Sequence, residues 1–167
     1  MNKKTTYDLS AEVYDSRYSE IQNEKYKFFL KNIELKEPIL DLGCGTGLLK
    51  EFLPNKKIFG CDFSEKMLAI AKKRGEIVKL CDLNKKFPHE NVFFNTILSF
   101  TALQNVEDVN NFLKEAKRIL KPNGVFVLTY LNKFYFEKEI KKHFKIINKK
   151  EFHSYFLYED ICDKMKF

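Results

Sequence analysis

The chain has 167 residues and a mass of 19.9 kDa, which is the usual size of one domain. Its 44% hydrophobic and 32% charged residues are typical of a folded globular domain and exclude an extended disordered chain. No stretch approaches the roughly 20 uninterrupted apolar residues of a membrane helix. The polar N-terminus lacks the apolar segment of a signal peptide, so we expect a cytoplasmic protein that does not associate with a membrane.

The basic charge has two interpretations. Thirty Lys and Arg residues against 23 Asp and Glu residues give a net charge of +7, which favours a nucleic-acid partner. However, 27 of the 30 are lysines in short, separated groups, and such a pattern also fits a solvated surface. The four cysteines form no Cys-x-x-Cys pair, so we expect free thiols and no metal site.

Short apolar runs alternate along the chain with helical stretches, which is typical of βαβ units and a mainly parallel sheet. The clearest periodicity is the apolar stripe that includes Val109, Phe112 and Ala116. We predict helices over 10–32, 46–53, 65–74, 107–121 and 134–144. We predict strands over 38–42, 57–61, 76–81, 93–100 and 125–131, followed by an antiparallel pair over 145–148 and 154–158.

A glycine-rich segment, Asp41-Leu42-Gly43-Cys44-Gly45-Thr46-Gly47, directly follows the first predicted strand and opens a helix. At this place an open α/β sheet binds nucleotide-like cofactors, because glycines let backbone amides approach the ligand. Asp62 ends the second strand, where a carboxylate can accept hydrogen bonds from ribose hydroxyls. Asp41 disfavours a pyrophosphate and suits a ligand with an ammonium group, so a dinucleotide fits poorly.

Four segments together resemble class I S-adenosylmethionine-dependent methyltransferases. Residues 39–47 resemble the first motif of that family, and Gly60-Cys61-Asp62-Phe63-Ser64 with Met67 resembles the second. Cys81-Asp82-Leu83 resembles the acidic turn after the third strand, and residues 120–124 resemble the Leu-Lys-Pro-Gly-Gly turn with Asn123 in place of the first glycine. The resemblance implies an α/β, Rossmann-like, doubly wound sheet of seven mostly parallel strands. It also implies a C-terminal antiparallel pair and helices on both faces.

The resemblance implies S-adenosylmethionine as the cofactor and a role for each matching residue. Three carboxylates would hold its polar groups. Asp41 would contact the methionine half, Asp62 would bind the ribose hydroxyls, and Asp82 would accept a hydrogen bond from the adenine amino group. Apolar side chains would contact the adenine, and the end of the fourth strand would border the sulfonium. The full set of expected cofactor-binding residues is Tyr14, Asp41, Gly43, Cys44, Gly45, Gly47, Asp62, Phe63, Met67, Asp82, Leu83 and Ser99.

The sequence does not identify the acceptor of the methyl group. The resemblance implies an enzyme that works by in-line displacement, and a small metabolite is the favoured acceptor. The alternatives are RNA or a translation-related protein, with a small activator subunit as a partner, or a non-catalytic cofactor-binding module. No catalytic residue is assigned, and Gln104 and Tyr18 are the candidates for that role: Gln104 could orient the acceptor, and Tyr18 could belong to a lid over the cofactor.

We expect a single methyltransferase domain with three segments. Residues 1–36 would form an N-terminal helical lid, residues 37–131 the cofactor-binding core, and residues 132–167 a closing helix and strand pair.

Overall fold

The computed structural model describes residues 3–131, 134–152 and 160–166. The helices are α1 (Lys3–Leu30), α2 (Leu48–Phe52), α3 (Glu65–Lys73), α4 (Val109–Ile119) and α5 (Glu137–His143), with a short 3₁₀ helix at Leu103–Asn105. The strands are β1 (Ile39–Leu42), β2 (Ile58–Asp62), β3 (Ile77–Leu80), β4 (Phe94–Phe100), β5 (Leu120–Leu131), β6 (Lys145–Phe152) and β7 (Asp160–Lys166).

The first five strands form a parallel sheet in the order β3-β2-β1-β4-β5. The chain runs from β1 outward to β3 and then returns to β4 beside β1. The order therefore reverses between β1 and β4, and an open α/β sheet binds its ligand at this kind of switch point. The prediction of a Rossmann-like α/β fold with a mostly parallel sheet is confirmed.

Beyond β5 the sheet continues with β7 and then β6. Strand β7 is antiparallel to β5 and also to β6. The first predicted strand of the terminal pair, residues 145–148, lies within β6. The second, residues 154–158, falls outside the described residues.

The ends of several helices differ from their predicted positions. Helix α1 extends over Lys3–Leu30 instead of residues 10–32, and α5 over Glu137–His143 instead of residues 134–144. Helix α2 begins at Leu48 instead of residue 46, because Gly47 occupies its N-cap position with a φ of 79°. Helix α4 ends at Ile119, and β5 begins with the next residue. The register of β5 against β4 shifts between Phe94 and Thr96. The turn that includes Asn123 therefore lies within β5, which begins at Leu120 instead of the predicted residue 125. Asn123 has a φ of 62°, as expected for a residue in the place of a glycine.

Apolar side chains from alternate strand positions fill both faces of the sheet. On one face, Leu40, Ile97 and Phe126 pack beneath α4 and α5 through Phe112 and Ile140. The other face is covered by α1 and α2, and its buried residues include Phe29, Ile39, Leu49, Ile58 and Tyr26. Helix α3 packs separately through Leu68 and Ala71 against Cys44 and Val78. The loops at the carboxyl edge therefore rest on a sheet that is buried on both sides.

The prediction of free thiols is wrong for one pair of cysteines. A disulfide joins Cys61, in β2, to Cys81, directly after β3, with their Cα atoms 5.4 Å apart. The two strands are parallel neighbours, so their carboxyl ends lie side by side. Cys44 is a free, buried thiol. Within the described residues, no group of three or more Cys, His, Asp or Glu side chains could hold a metal ion.

Among the helices that the structure describes, none combines the length and the apolar character needed to cross a membrane.

The packing of α4 against the sheet can be tested with a matched pair of substitutions. Phe112 is fully buried, whereas Phe93 is 37% exposed. We expect Phe112→Ala to lower the free energy of unfolding by about 3–5 kcal/mol, because it removes a buried ring and leaves a cavity. We expect Phe93→Ala to cost less than about half of that. Urea unfolding measures both, and equal losses would contradict the assigned packing.

Candidate cofactor site

The loop between β1 and α2 turns through three glycines with positive φ. Gly43, Gly45 and Gly47 have φ values of 79°, 54° and 79°, which residues with a side chain rarely adopt. The amides of Gly43 and Cys44 both donate to the carbonyl of Cys61 on β2, at 2.7 and 3.1 Å. These bonds hold the loop close to the carboxyl end of the neighbouring strand.

Close packing also excludes side chains from this loop. A Cβ on Gly43 would lie 2.7 Å from the Cβ of Ala102, which follows β4. A Cβ on Gly47 would lie 2.9 Å from the backbone of Ala71 in α3. The loop therefore bridges the segments that follow β4 and β2.

Asp62 links the second motif to the glycine loop. Its carboxylate accepts hydrogen bonds from the amide of Gly45 at 3.0 Å and from the amide of Ser64 at 2.9 Å. Only 7% of the residue is exposed, and this burial raises its pKa, while the backbone hydrogen bonds oppose the rise. The carboxylate is thereby fixed at the mouth of the loop, where the sequence predicts contact with a ribose.

A second buried carboxyl group, that of Asp41, lies at the end of β1. The residue is 3% exposed. Burial raises its pKa well above the ordinary value, and the nearby carboxylates of Glu76 and Asp62 raise it further. Such a group is stabilised by a positively charged ligand, because the cation favours its ionised form.

Glu76 is a third carboxyl group below the loop, and the sequence gives no signal for it. It precedes β3, is 4% exposed, and its carboxyl group is hydrogen-bonded to the thiol of Cys44. Burial raises its pKa to about 7, although the Cys44 hydrogen bond and the positive charges of Lys50 and Arg74 oppose the rise. Its carboxylate fills the space beside Gly60 that a Cβ would need.

These groups surround a cleft made of three adjoining cavities. A cavity of about 490 Å³ lies beyond β3 and is lined by Phe63, Leu80, Cys81, Asp82, Leu83, Asn84, Lys85, Asn105, Val106 and Glu107. A cavity of about 70 Å³ is lined by Tyr7, Tyr14, Gly43, Gly45, Asp62, Phe63, Met67, Leu83 and Phe100 to Ala102, with Asn105. A cavity of about 20 Å³ is lined by Tyr14, Gln22, Tyr26, Asp41, Gly43 to Thr46, Leu48 and Phe100.

Helix α1 closes one side of this cleft through polar contacts. Asp8 accepts a hydrogen bond from the Ser64 hydroxyl at 2.5 Å, next to the N-cap of α3. Asp15 accepts from the Thr46 hydroxyl at 2.6 Å and forms an ion pair with Arg74 at 2.5 Å. The helix is thus bound to both loops that flank the cleft.

Comparison with known proteins now identifies the family. Residues 40–128 match the methyltransferase domain family, which is more than half of the chain. The chain belongs to this family. The matched segment contains Asp41, Asp62, Glu76 and Asp82 and the glycine loop between β1 and α2.

A curated relative agrees with the family, and two solved structures share the fold. A demethylmenaquinone methyltransferase of Oceanobacillus iheyensis is 32% identical over 131 residues, covering 68% of this chain and 55% of the relative. A possible histamine N-methyltransferase from Thermotoga maritima has a TM-score of 0.79, with 19% identity and coverage of 96% of this chain and 97% of that one. A Haloferax volcanii methyltransferase in complex with the Trm112 activator has a TM-score of 0.76, with 16% identity and 96% coverage of both chains.

The two structural likenesses establish the fold alone. The chain spans between 44% and 59% of the length of the first three curated relatives that it matches.

The family implies S-adenosylmethionine as the cofactor, and the residues of this methyltransferase domain fit it. The cofactor carries an ammonium and a sulfonium, and the cleft offers the buried carboxyl of Asp41. Gln22 adds a buried side-chain oxygen that has no partner among the described residues, on the wall of the same small cavity. The larger cavity has the apolar side chains Phe63 and Leu83, which suit a flat base.

Most of the sequence-predicted residues meet at this cleft, but their surroundings differ. Asp82 lies at the larger cavity, where one carboxylate oxygen accepts from the amide of Asn84 at 3.0 Å and the other lies 3.5 Å from Lys85. Ser99 is buried, and its hydroxyl donates to the carbonyl of Leu42 at 2.9 Å. Gly47 caps α2 and lines none of the three cavities.

The two candidates for acceptor contact are placed outside the cavity walls. The amide nitrogen of Gln104 donates to the carbonyl of Thr101 at 2.6 Å, within the turn that follows β4. Tyr18 packs against Tyr14 with the ring centroids 4.7 Å apart, and Arg17 lies over its ring. Neither side chain lines the cleft, although their neighbours Thr101 and Tyr14 do.

Sequence reasoning missed several residues of the cleft, among them Tyr7 and Gln22, and it also missed Glu76 below the glycine loop. Tyr7 packs edge-on against Phe63, with ring centroids 5.5 Å apart, and Gln22 is hydrogen-bonded to Tyr14. Spacing on α1 relates Gln22 to Tyr14 and Tyr18, so a helical projection would have found it. Glu76 precedes a strand without any motif, and only the three-dimensional packing reveals its position.

The close packing of the glycine loop predicts unequal effects of two alanine substitutions. Gly47→Ala combines a positive φ with a clash against the Ala71 backbone, whereas Gly75→Ala, at a φ of 96°, meets only the flexible side chain of Lys50 at 3.5 Å. We expect Gly75→Ala to cost about 1–2 kcal/mol and Gly47→Ala to cost about 1–3 kcal/mol more. Urea unfolding measures the difference, and equal costs would show that Ala71 does not constrain the loop.

The buried carboxyl of Glu76 predicts a pH-dependent stability. Its pKa in the folded state, about 7, is raised above the ordinary value of 4.5, so its contribution to stability is lost as the pH rises between these values. We expect Glu76→Gln to gain, relative to the native chain, of the order of 2–3 kcal/mol between pH 4.5 and pH 8. Urea unfolding across this range measures the change. A difference between the two proteins that does not vary with pH would contradict the assignment.

Proposed function

We propose that this chain is an enzyme that transfers the methyl group of S-adenosylmethionine to a small-molecule acceptor. One observation carries the proposal: Asp41, Asp62 and Asp82 lie at the carboxyl ends of three neighbouring parallel strands, and they line adjoining parts of one cleft. Their spacing along the sheet suits a ligand with a cationic end, a ribose and a base in that order. The membership in the methyltransferase domain family supports the same ligand.

Each part of the cleft has a proposed partner on the cofactor. Asp41 and Gln22 would hold the ammonium group, and the amides of the loop from Gly43 to Gly45 would approach the methionine half, with Tyr14 above them. Asp62 would accept hydrogen bonds from the ribose hydroxyls. The base would lie in the larger cavity, beside Phe63, Asp82 and Leu83. Met67 would contact it from the wall of the adjoining cavity.

Methyl transfer requires little from the protein beyond the correct placement of the cofactor and the acceptor. The cofactor would supply a methyl group activated by its sulfonium, and in-line displacement by the acceptor would leave a neutral thioether. Holding two reactants at attack distance supplies roughly 7–11 kcal/mol of the barrier reduction. A general base is required only for an acceptor that carries a proton at neutral pH. Gln104 and Tyr18 would then orient the acceptor through Thr101 and Tyr14.

A small-molecule acceptor is favoured by the curated relatives. Those with assigned names include a ubiquinone biosynthesis O-methyltransferase and demethylmenaquinone methyltransferases, which act on small molecules. A second candidate is an RNA or protein methyltransferase that works with an activator subunit. It is supported by the Haloferax volcanii structure, in which a methyltransferase of the same fold is bound to the Trm112 activator.

We also propose a division of the chain into three functional segments. Residues 1–36 would act as a lid over the cofactor, supported by the contacts of Asp8 and Asp15 with the loops. Residues 37–131 would bind the cofactor. Residues 132–167 would close the domain as the seventh and sixth strands of the sheet with their preceding helix, and the pairing of β7 with β5 and β6 supports this.

The role of Asp62 is tested by calorimetric titration with S-adenosylmethionine. We expect Asp62→Ala to weaken binding by about 10- to 100-fold, since it removes hydrogen bonds to a charged group, each of roughly 1.5–3 kcal/mol. Asp108→Ala removes the same charge at the N-cap of α4 and serves as the matched control. Equal affinities for the two variants would contradict the proposed ribose contact.

The acceptor class is tested by incubating the protein with S-adenosylmethionine labelled in its methyl group. Separate reactions contain metabolite, RNA and protein fractions of a cell extract, each with and without an activator subunit. We expect label in the metabolite fraction without an activator. Label only in RNA or protein, and only with an activator, would replace the first candidate with the second.

A further inference from the structure

The Cys61–Cys81 disulfide joins the two strand ends that carry proposed cofactor carboxylates. Cys61 directly precedes Asp62 at the end of β2, and Cys81 directly precedes Asp82 after β3. A backbone hydrogen bond reinforces this link, because the amide of Cys81 donates to the carbonyl of Asp62 at 2.8 Å. The disulfide therefore fixes the proposed ribose carboxylate relative to the proposed adenine carboxylate.

Cys61 also supports the glycine loop. Its carbonyl accepts hydrogen bonds from the amides of Gly43 and Cys44. The carboxylate of the next residue, Asp62, accepts a hydrogen bond from the amide of Gly45. A displacement of the backbone at Cys61 would therefore reach the loop that is proposed to approach the methionine half of the cofactor.

The two cysteines differ in their access to solvent. Both belong to the apolar cluster on one face of the sheet. Cys61 is fully buried and lines none of the three cavities, whereas Cys81 lines the cavity of about 490 Å³. A reductant that enters this cavity would therefore reach the sulfur of Cys81 first. The base of the cofactor, which is proposed to occupy the same cavity, would block this approach.

Reduction by a dithiol takes two exchange steps. A thiolate of the reductant attacks the Cys81 sulfur, the bond between the two cysteines breaks, and the Cys61 sulfur leaves as a thiolate that takes up a proton. The second thiol of the reductant, as a thiolate, then attacks its own sulfur in the mixed disulfide. This step releases the Cys81 thiolate, which is protonated, and the cyclic disulfide of the reductant. Two electrons thus pass from the dithiol to the protein.

Two thiols need more space than a disulfide, because sulfur atoms without a bond keep their van der Waals separation. The packed core leaves little room on the Cys61 side, whereas the cavity offers room on the Cys81 side. Separation of the two sulfur atoms would therefore move Cys81 and the adjoining Asp82 toward the cavity and away from Asp62.

We propose that the Cys61–Cys81 disulfide is a reversible redox switch of the cofactor site. The oxidised chain binds S-adenosylmethionine more tightly, and reduction weakens binding because it separates the turns that carry Asp62 and Asp82. The inference rests on the proposed function, because it concerns the cleft assigned there to the cofactor. Coupling between two equilibria is reciprocal, so the bound cofactor stabilises the disulfide by the same factor.

The switch is tested by calorimetric titration of S-adenosylmethionine into the oxidised chain and into the chain reduced with dithiothreitol. Alkylation of the denatured protein, followed by mass spectrometry, counts the thiols in each state. We expect reduction to add two thiols and to weaken binding by about fivefold or more, which is within the range typical of coupled sites.

Two variants separate the switch from other effects of the reductant. The double variant Cys61→Ala with Cys81→Ala should bind the cofactor equally well with and without dithiothreitol, because it has no bond to reduce. The matched control is Cys162→Ala, in β7, which keeps both cysteines of the pair. It should show the full effect of reduction.

A second measurement uses the native chain alone and keeps the proposal testable should the double variant fold poorly. The chain is equilibrated in mixtures of reduced and oxidised dithiothreitol, with and without saturating S-adenosylmethionine. We expect the cofactor to raise the ratio of disulfide to dithiol protein by the factor found in the calorimetry, about fivefold or more.

Three results would overturn the proposal. They are equal affinities of the oxidised and reduced chains, a disulfide ratio that the cofactor does not change, and an effect of reduction that persists in the double variant. Absence of S-adenosylmethionine binding to both the oxidised and the reduced chain would instead contradict the proposed function.

Discussion

The burial of carboxyl groups at the carboxyl edge of the sheet is the constraint on which the site depends. Asp41, Asp62 and Glu76 are each more than nine-tenths buried, and they lie below or beside one glycine loop. Burial of a carboxylate is costly unless hydrogen bonds or opposite charges compensate it. Asp62 accepts hydrogen bonds from backbone amides, whereas burial raises the pKa of both Asp41 and Glu76, and the Glu76 carboxylate raises that of Asp41 further. The free protein is therefore held in an arrangement that a cationic ligand would stabilise.

The glycines of the loop follow from the same constraint. Gly60 leaves the space that the Glu76 carboxylate occupies, and Gly47 allows the loop to pack against Ala71. Gly43 allows the loop to approach Ala102 after β4. Close contact on three sides fixes the loop amides relative to Asp62, and this geometry is preserved by the buried sheet below. The site is thus built on rigid elements, which favours accurate placement of a reacting group.

Helix α1 contributes to the site from outside the matched segment. It ends on apolar contacts of Tyr26 and Phe29 with Phe100, while its first half is joined to the loops by Asp8 and Asp15. The firmly packed half is thus the C-terminal one. Movement of the polar half would open the cleft without disturbing the core, which is consistent with a lid.

The sequence predicted the parallel sheet and the convergence of Asp41 and Asp62, because strand periodicity and glycine spacing are local features. The helix boundaries that depend on tertiary packing were predicted less accurately. Helix α2, for example, begins at Leu48 because Gly47 has a left-handed conformation at its N-cap. The Cys61–Cys81 disulfide and the position of Glu76 depend on which strands are neighbours, and no local pattern encodes that. Ser99 shows a related limit: its place at the end of β4 was foreseen, but its hydroxyl is bonded to Leu42.

The most direct test of the account is a crystal structure of the protein with S-adenosylhomocysteine. The account predicts both ribose hydroxyls within hydrogen-bond distance of the Asp62 carboxylate. It also predicts the ammonium group beside Asp41 and Gln22, and the base in the cavity next to Asp82. A ligand whose ribose lies away from Asp62, or whose ammonium group does not face Asp41, would contradict it.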